Sequence, residues 1–445
     1  MTEGVPLVSG KLSLLPLTML VTGNMMGAGI FLLPSSLASY GSITLLGWIV
    51  TVIGSVFLSL VFVRLGADCK QGAGLYAFTQ AGLGRYVGSQ VVYGYWAATW
   101  IGNIAVALSG VGYLSYFFPV LNGPWETTFA AIGVIWILSL INLTDIRLIG
   151  RLQIVTTCCM LVPVVIVSTL GWSQFEADNI TRAFNVTGQP SRHVLSESVT
   201  LTLWSFIGLE SACNLAGHAR NPRWDVPCAT LLGTLLAALF YILSTTAMMG
   251  VVPNEVLQSS AAPFSVTARY LLGDWAGEMV SVMAVIACFG SLNGWILMHS
   301  QVARAASSDG LLPRAFGVLN RYGSPWKGLL ITGILMSALI LLTVEPTIQK
   351  HFEFIVFIAV YIMLLAYFCA CLSCFQIQRR KPGGLSAGWF MVILVSACYC
   401  LLGINGAGYT VFFYGTVLLI LGSSIYWYQH RGNKKPDPLK DPAHG

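Results

Sequence analysis

Long apolar runs separated by short polar segments dominate the sequence from about residue 12 to about residue 430. The runs reach about 20 residues or more, which is the length a helix needs to cross ~30 Å of hydrocarbon. They lack the strict alternation of apolar and polar positions that is typical of a transmembrane barrel strand. The pattern predicts an all-α membrane protein with twelve transmembrane helices. Their centres lie near residues 25, 54, 102, 135, 161, 207, 238, 290, 336, 363, 395 and 417.

Two of these runs contain groups that lipid does not tolerate uncovered. The first run includes the segment from Asn24 to Ile30, which has two glycines, and the sixth includes the segment from Trp204 to Ser211. Glu210 lies in the second segment, and a carboxylate at mid-membrane costs about 2.5–3.5 kcal/mol on insertion scales. It either caps a helix fragment or pairs with a neighbour, or it marks a substrate site. Interruptions at corresponding places in two halves indicate a transporter's binding site, so we expect the two breaks to face each other.

The two interrupted segments also suggest an internal repeat within one transporter domain, residues 1–430. Residues 12–173 and 195–377 would each contain five spans and begin with a broken helix. An odd number of spans gives the two copies opposite orientations, as an inverted repeat requires. The two spans of residues 386–430 would be additional. Residues 431–445 are rich in Lys, Pro and Asp and are predicted to form a disordered tail.

The basic residues predict the orientation. Lys and Arg concentrate in cytoplasmic loops, and the chain has 23 of them. With both termini in the cytoplasm, all of these residues are inside except Arg182, Arg192, Arg269 and Lys350. Because topology accounts for the net charge of +6, this charge does not indicate a nucleic-acid partner.

The composition indicates an integral membrane protein, and the absence of catalytic motifs argues against an enzyme. Hydrophobic residues make up 56 % and charged residues 9 % of the chain, whereas soluble proteins have about 25 % charged residues. No catalytic triad, phosphate-binding loop or metal-ligand spacing is present, so we expect no catalytic residue, cofactor or metal. Most of the 11 cysteines lie in apolar runs, where cysteine behaves as a small hydrophobe.

Several motifs resemble a known family. Residues 24–30, 204–211, 221–227 and 308–313 resemble the amino acid/polyamine/organocation transporters, and the likeness covers nearly the whole chain. Residues 95–103 and 110–119 are most similar to bacterial basic amino acid/polyamine antiporters, in particular the arginine/agmatine and lysine/cadaverine exchangers. The resemblance implies a leucine-transporter-type 5+5 inverted repeat with discontinuous helices 1 and 6. It also implies a multi-pass protein of the inner membrane that is often a homodimer.

The expected binding site follows from the helix breaks and the resemblance together. The free N–H groups after Gly29 favour an α-carboxylate, and the free carbonyls before Gly208 favour an α-ammonium. The resemblance implies these contacts: the carboxylate at the N–H groups of Ala28 and Gly29, the amine at the carbonyls of Met25, Trp204 and Ile207, and the distal cation near Ala98, Thr99 and Asn103 with Trp295 stacked on it. A cation over an indole face gains about 0.5–2 kcal/mol.

The resemblance also assigns gating to Trp204 and proton sensing to Glu210 and Tyr95. Burial disfavours the charged form of a carboxylate. Our hypothesis is that protonation of Glu210 loosens the gate and activates exchange in acid. His299 lies one turn after Trp295 and is either a pH switch or a donor to a backbone carbonyl. Ala28 departs from the family, where a hydroxyl residue is usual at this position.

The sequence thus predicts an antiporter that exchanges a cationic amino acid for its decarboxylated amine by alternating access. Arginine with agmatine comes first, followed by lysine with cadaverine and ornithine with putrescine. Paired with a cytoplasmic decarboxylase, such exchange would remove protons and support acid resistance. Two alternatives stay open: a proton-coupled symporter or uniporter of a neutral amino acid, and a non-transporting amino acid sensor.

Overall fold

A computed structural model describes residues 13–26, 30–68, 74–143, 146–210 and 219–430 of the chain. The regular elements in these ranges are α-helices and short 3₁₀ turns. The first nine α-helices are α1 Leu14–Met25, α2 Leu33–Ala38, α3 Thr44–Asp68, α4 Leu75–Leu83, α5 Arg85–Leu114, α6 Pro124–Ile141, α7 Ile146–Leu170, α8 Ala177–Arg182 and α9 Ser191–Trp204. The others are α10 Pro222–Val251, α11 Asn254–Ser259, α12 Pro263–Leu272, α13 Asp274–Ser308, α14 Trp326–Leu342, α15 Ile348–Arg379, α16 Ala387–Gly406 and α17 Gly408–His430.

The helices have the length and composition of membrane spans. Within the described ranges, eight of them are long and apolar enough to cross a bilayer, and Leu14–Gly23, Cys158–Gln174 and Trp326–Leu342 form shorter apolar helices. The predicted all-α membrane class is therefore confirmed. The count of twelve spans, the inverted repeat and the domain bounds stay predictions. The segment 431–445, predicted to be disordered, lies outside the described residues.

Two helices form the centre of the bundle. Nearly every residue of α5 from Val91 to Tyr113 is buried, and most of α15 is buried as well. These two helices pack against each other, and α13 packs on the other side of α5. Most of the side chains of α6, α16 and α17 are partly or fully exposed, and many of their large apolar residues are exposed. We infer that these three helices contact lipid.

The two short helices α1 and α9 are held by different neighbours. Helix α1 packs along α10, and α9 lies between α3, α16 and α15. Hydroxyl pairs join some of these helices, such as Thr51 with Thr202 at 2.6 Å. The surrounding helices thereby fix the points at which α1 and α9 end inside the protein.

Residues 174–194 and 252–272, which lie between predicted spans, contain the helices α8, α11 and α12. Helix α12 begins at a proline, which suits the first turn of a helix, and ends at Gly273 with φ +94°. The Tyr113 hydroxyl donates to the Phe31 carbonyl at 2.9 Å and accepts from the Phe264 N–H at 3.1 Å. These bonds tie α12 to the segment that follows the first helix break.

Candidate functional site

The candidate site lies where α1 and α9 end. Helix α1 ends at Met25, and α9 ends at Trp204. After Trp204 the backbone continues in tight turns, with N–H groups bonded to carbonyls three residues earlier, such as Ile207 to Trp204 at 3.3 Å. Gly208 has φ +107°, a conformation that glycine adopts without steric cost. This is the position at which the sequence predicts the second break.

Tyr241 of α10 joins the two helix ends. Its hydroxyl lies 2.7 Å from the Met25 carbonyl oxygen and 3.1 Å from the Ser205 carbonyl oxygen. One hydroxyl proton is thus shared between two helix C-termini that are distant in sequence. The Tyr241 ring stacks on Trp48 with centroids 5.3 Å apart, and Phe206 packs edge-on against both rings. The role of Tyr241 could not be predicted from the sequence, because a tyrosine in an apolar run gives no signal of its bonding partner.

Glu210 is buried two residues after Gly208, with 1 % of its surface exposed. Its Oε2 accepts a hydrogen bond from the Tyr367 hydroxyl at 2.8 Å, and the Tyr95 hydroxyl also bonds to the carboxylate. Its Oε1 has no hydrogen-bond partner among the described residues. The structure therefore brings together Glu210 and Tyr95, both predicted site residues, and adds Tyr367 from α15.

One face of α5 lines the site. Tyr95, Ala98, Thr99 and Asn103 are all at most 8 % exposed and recur at helical spacing. The Thr99 hydroxyl donates a hydrogen bond to the Trp96 carbonyl at 2.7 Å. Gly102 on this face is covered by the indole of Trp204, since a Cβ at Gly102 would lie 2.6 Å from Trp204 Cη2. The missing side chain at Gly102 therefore allows the half-buried Trp204 ring to rest on α5.

Asn103 and His299 connect α5 to α13. Asn103 Nδ2 donates a hydrogen bond to His299 Nδ1 at 2.9 Å. His299 is fully buried, and its Nε2 has no partner among the described residues. The half-buried Trp295 lies one turn before His299 on the same helix face. The sequence left His299 open as a pH switch or as a donor to a backbone carbonyl. The structure adds Asn103 as a hydrogen-bond partner that the sequence did not predict.

Several residues of the predicted site lie outside the part of the chain that the structure describes. Ala28 and Gly29, the expected carboxylate donors, lie outside the described residues, as do Gly27 and Ser211. Where the chain is described, no group of three or more His, Cys, Asp or Glu residues is arranged to hold a metal ion. No lysine or arginine whose side chain the structure describes is buried. The site therefore combines two helix C-termini with one buried carboxylate.

Comparisons with known proteins agree with this architecture. The family model described as "Amino acid permease" matches residues 12–430. The cadaverine/lysine antiporter of Escherichia coli (strain K12) is 35 % identical over 405 residues, which is 89 % of this chain and 90 % of that protein. The putrescine transporter PotE of the same strain is 31 % identical over 420 residues, with 94 % and 96 % covered. The putrescine transporter PotE of Haemophilus influenzae is 31 % identical over 423 residues, with 94 % and 97 % covered.

Proposed function

The chain belongs to the amino acid permease family, and from this premise we propose that it exchanges a cationic amino acid for its decarboxylated amine. It is a membrane transporter and not an enzyme. Because the relatives carry the names cadaverine/lysine antiporter and putrescine transporter, lysine with cadaverine is the first pair to test. Ornithine with putrescine and arginine with agmatine follow.

The convergence of negative groups at the helix breaks carries this proposal. The C-terminus of a helix has the effect of about half a negative charge, and the ends of α1 and α9 share the hydroxyl of Tyr241. Glu210 adds a buried carboxylate close to the second break. Because no lysine or arginine whose side chain the structure describes is buried, a positively charged substrate would supply the balancing charge.

The protein would contact the substrate at three places. Its α-ammonium would bind the carbonyls at the ends of α1 and α9, and its α-carboxylate the N–H groups of Ala28 and Gly29. Its distal ammonium would lie over the Trp295 indole and beside Asn103. A decarboxylated amine lacks only the carboxylate contact, so the same pocket would accept both exchange partners. Trp204, resting on Gly102, would close over the bound molecule.

Acid activation would act through Glu210. The charged carboxylate accepts from Tyr367 and Tyr95, and hydrogen bonds to a charged acceptor contribute more than those to a neutral one. Protonation would weaken both bonds and place a new donor in a buried position. The segment after Gly208 would then be released from α5 and α15, and exchange would begin. We further propose that the protein lies in the inner membrane with both termini inside.

Purified protein in liposomes tests the function. The vesicles are loaded with lysine, cadaverine, ornithine, putrescine, arginine or agmatine, or are left empty, and uptake of radiolabelled lysine is followed at about pH 5 and about pH 7.5. We expect uptake only into loaded vesicles, with cadaverine the best internal partner. Equal uptake into empty vesicles would indicate a uniporter or a symporter and would refute exchange. Substrate binding without flux under any loading would indicate a sensor.

A further inference from the structure

A cavity of about 1270 Å³ lies on the side of α5 away from the candidate substrate site. Helices α14 and α17 each pack on α5, and the cavity opens between them. Its apolar lining residues include Ile331 and Leu335 of α14 and Leu418, Leu421 and Ile425 of α17. We propose that this groove binds one phospholipid with a net negative headgroup, with the phosphate at Arg85 and Arg314 and an acyl chain along α5.

The length of the groove matches one leaflet of a bilayer. Arg85 begins α5, and Trp100 of the cavity lining lies about 22 Å further along the axis at ~1.5 Å per residue. Half of a bilayer, headgroups included, is about 20–22 Å thick. The apolar side chains of α14 and α17 would cover the hydrocarbon part. A molecule with one charged end and an apolar body of this length is a membrane lipid.

The charged end of the groove fits a phosphate. Arg85 and Arg314 line the cavity, are exposed, and form no ion pair with any residue in the described part of the chain. Guanidinium groups bind phosphate through paired hydrogen bonds, and basic pockets between transmembrane helices bind anionic headgroups. Asp309 lines the same end, so the charged side chains sum to a single positive charge. A headgroup with one negative charge and free hydroxyl donors balances this set.

Two buried tryptophans supply an independent argument. Trp96 and Trp100 line the groove and are each 4 % exposed. Neither indole N–H has a hydrogen-bond partner within the described ranges, whereas more than about 90 % of buried polar groups have one. Helical side chains lean toward the helix N-terminus, which for α5 is the Arg85 end. Both N–H groups have almost no solvent-accessible surface, so the indole rings would rotate toward the groove to donate to the ester carbonyl oxygens of a lipid whose phosphate lies at Arg85.

The Trp96 ring is held in place by its neighbours. Its centroid lies 5.2 Å from that of Phe316 and 5.7 Å from that of Tyr93. Phe316 follows Arg314 in the short 3₁₀ helix Arg314–Gly317. The same segment thus supports one tryptophan donor and presents one of the two guanidinium groups. A lipid bound here would connect α5, α13, α14 and α17 at one end of the bundle.

Native mass spectrometry of the detergent-purified full chain tests the proposal. Phosphatidylglycerol and phosphatidylcholine with identical acyl chains are added, and the bound fraction is measured for the wild type and for the Arg85→Gln, Arg314→Gln double variant. The Arg304→Gln variant is the control, since Arg304 is exposed and lies outside the groove. We expect phosphatidylglycerol to bind the wild type and the control more tightly than phosphatidylcholine does. Its affinity for the double variant should be about tenfold lower than for the wild type, a difference of about 1.4 kcal/mol.

A second pair of measurements keeps the test decisive if the arginine variants fold poorly. Phosphatidylglycerol with brominated chains should quench the tryptophan fluorescence of the wild type, and the Trp96→Phe, Trp100→Phe variant should lose much of that quenching. Equal binding of the two lipids, or unchanged binding by the double arginine variant, would overturn the proposal. So would a monomer–dimer ratio that changes with the arginine substitutions while no lipid binds, because a second copy would then cover the groove.

Discussion

Replacing Glu210 with glutamine should make exchange insensitive to pH. The substitution keeps the shape of the side chain but removes the charge that Tyr367 and Tyr95 contact. A hydrogen bond to a charged group contributes about 1.5–3 kcal/mol and a neutral one about 0.5–1.5 kcal/mol. The loss is therefore about 1–1.5 kcal/mol for each tyrosine, or about 2–3 kcal/mol for the pair. This corresponds to a shift of about 30- to 150-fold in the equilibrium between the closed and released gate.

The sign of the effect follows from the chemistry. Glutamine resembles the protonated acid, so the Glu210→Gln variant should exchange at about pH 7.5 nearly as fast as at about pH 5, while the wild type slows as the pH rises. Initial rates of lysine uptake into cadaverine-loaded liposomes across this range give the profile. Glu126→Gln is the matched control, because Glu126 is exposed at the start of α6. A Glu210→Gln variant with the wild-type pH profile would refute the role assigned to this carboxylate.

Three further substitutions test the geometry of the site. Tyr241→Phe removes the hydroxyl shared by the two helix ends and should slow exchange by up to about tenfold, since a neutral hydrogen bond contributes about 0.5–1.5 kcal/mol; an unchanged rate at unchanged expression would contradict this. Gly102→Ala places a Cβ 2.6 Å from Trp204 Cη2 and should impair exchange, and a double-mutant cycle with Trp204→Phe should show positive coupling. His299→Phe leaves the buried Asn103 amide without its partner and should raise the KM for lysine, whereas an altered Vmax alone would argue against a contact between Asn103 and the substrate.

The class of the fold could be predicted from the sequence because hydrocarbon imposes a simple rule. A chain that crosses lipid must satisfy its backbone internally, so apolar runs of sufficient length are read as helices. The runs containing α3, α5, α10, α13 and α15 follow this rule. Short amphipathic helices between the spans, such as α12, carry no comparable constraint. They depend on tertiary contacts such as the Tyr113 bonds, which hydropathy does not encode.

Some residues of the candidate site could likewise be predicted from the sequence, and others could not. Gly208 and Glu210 could be selected from the sequence because glycine and carboxylate are conspicuous in an apolar run. Their partners Tyr241 and Tyr367 could not, because tyrosine is common in membrane helices and bonds across hundreds of residues in sequence. Asn103 was expected at the substrate, but its bond to His299 depends on how α5 and α13 pack.

The charge moved in each cycle tests the central claim most directly. Lysine carries one net positive charge at neutral pH and cadaverine two, so each exchange moves one positive charge outward. Cadaverine-loaded liposomes with a potassium diffusion potential set by valinomycin would report this movement as lysine uptake. A potential of 100 mV acts on one charge with about 2.3 kcal/mol, which shifts the equilibrium lysine ratio about 50-fold. We expect an inside-positive potential to drive lysine uptake and an inside-negative potential to oppose it. Uptake that does not respond to the potential would contradict the exchange of a cationic amino acid for its decarboxylated amine.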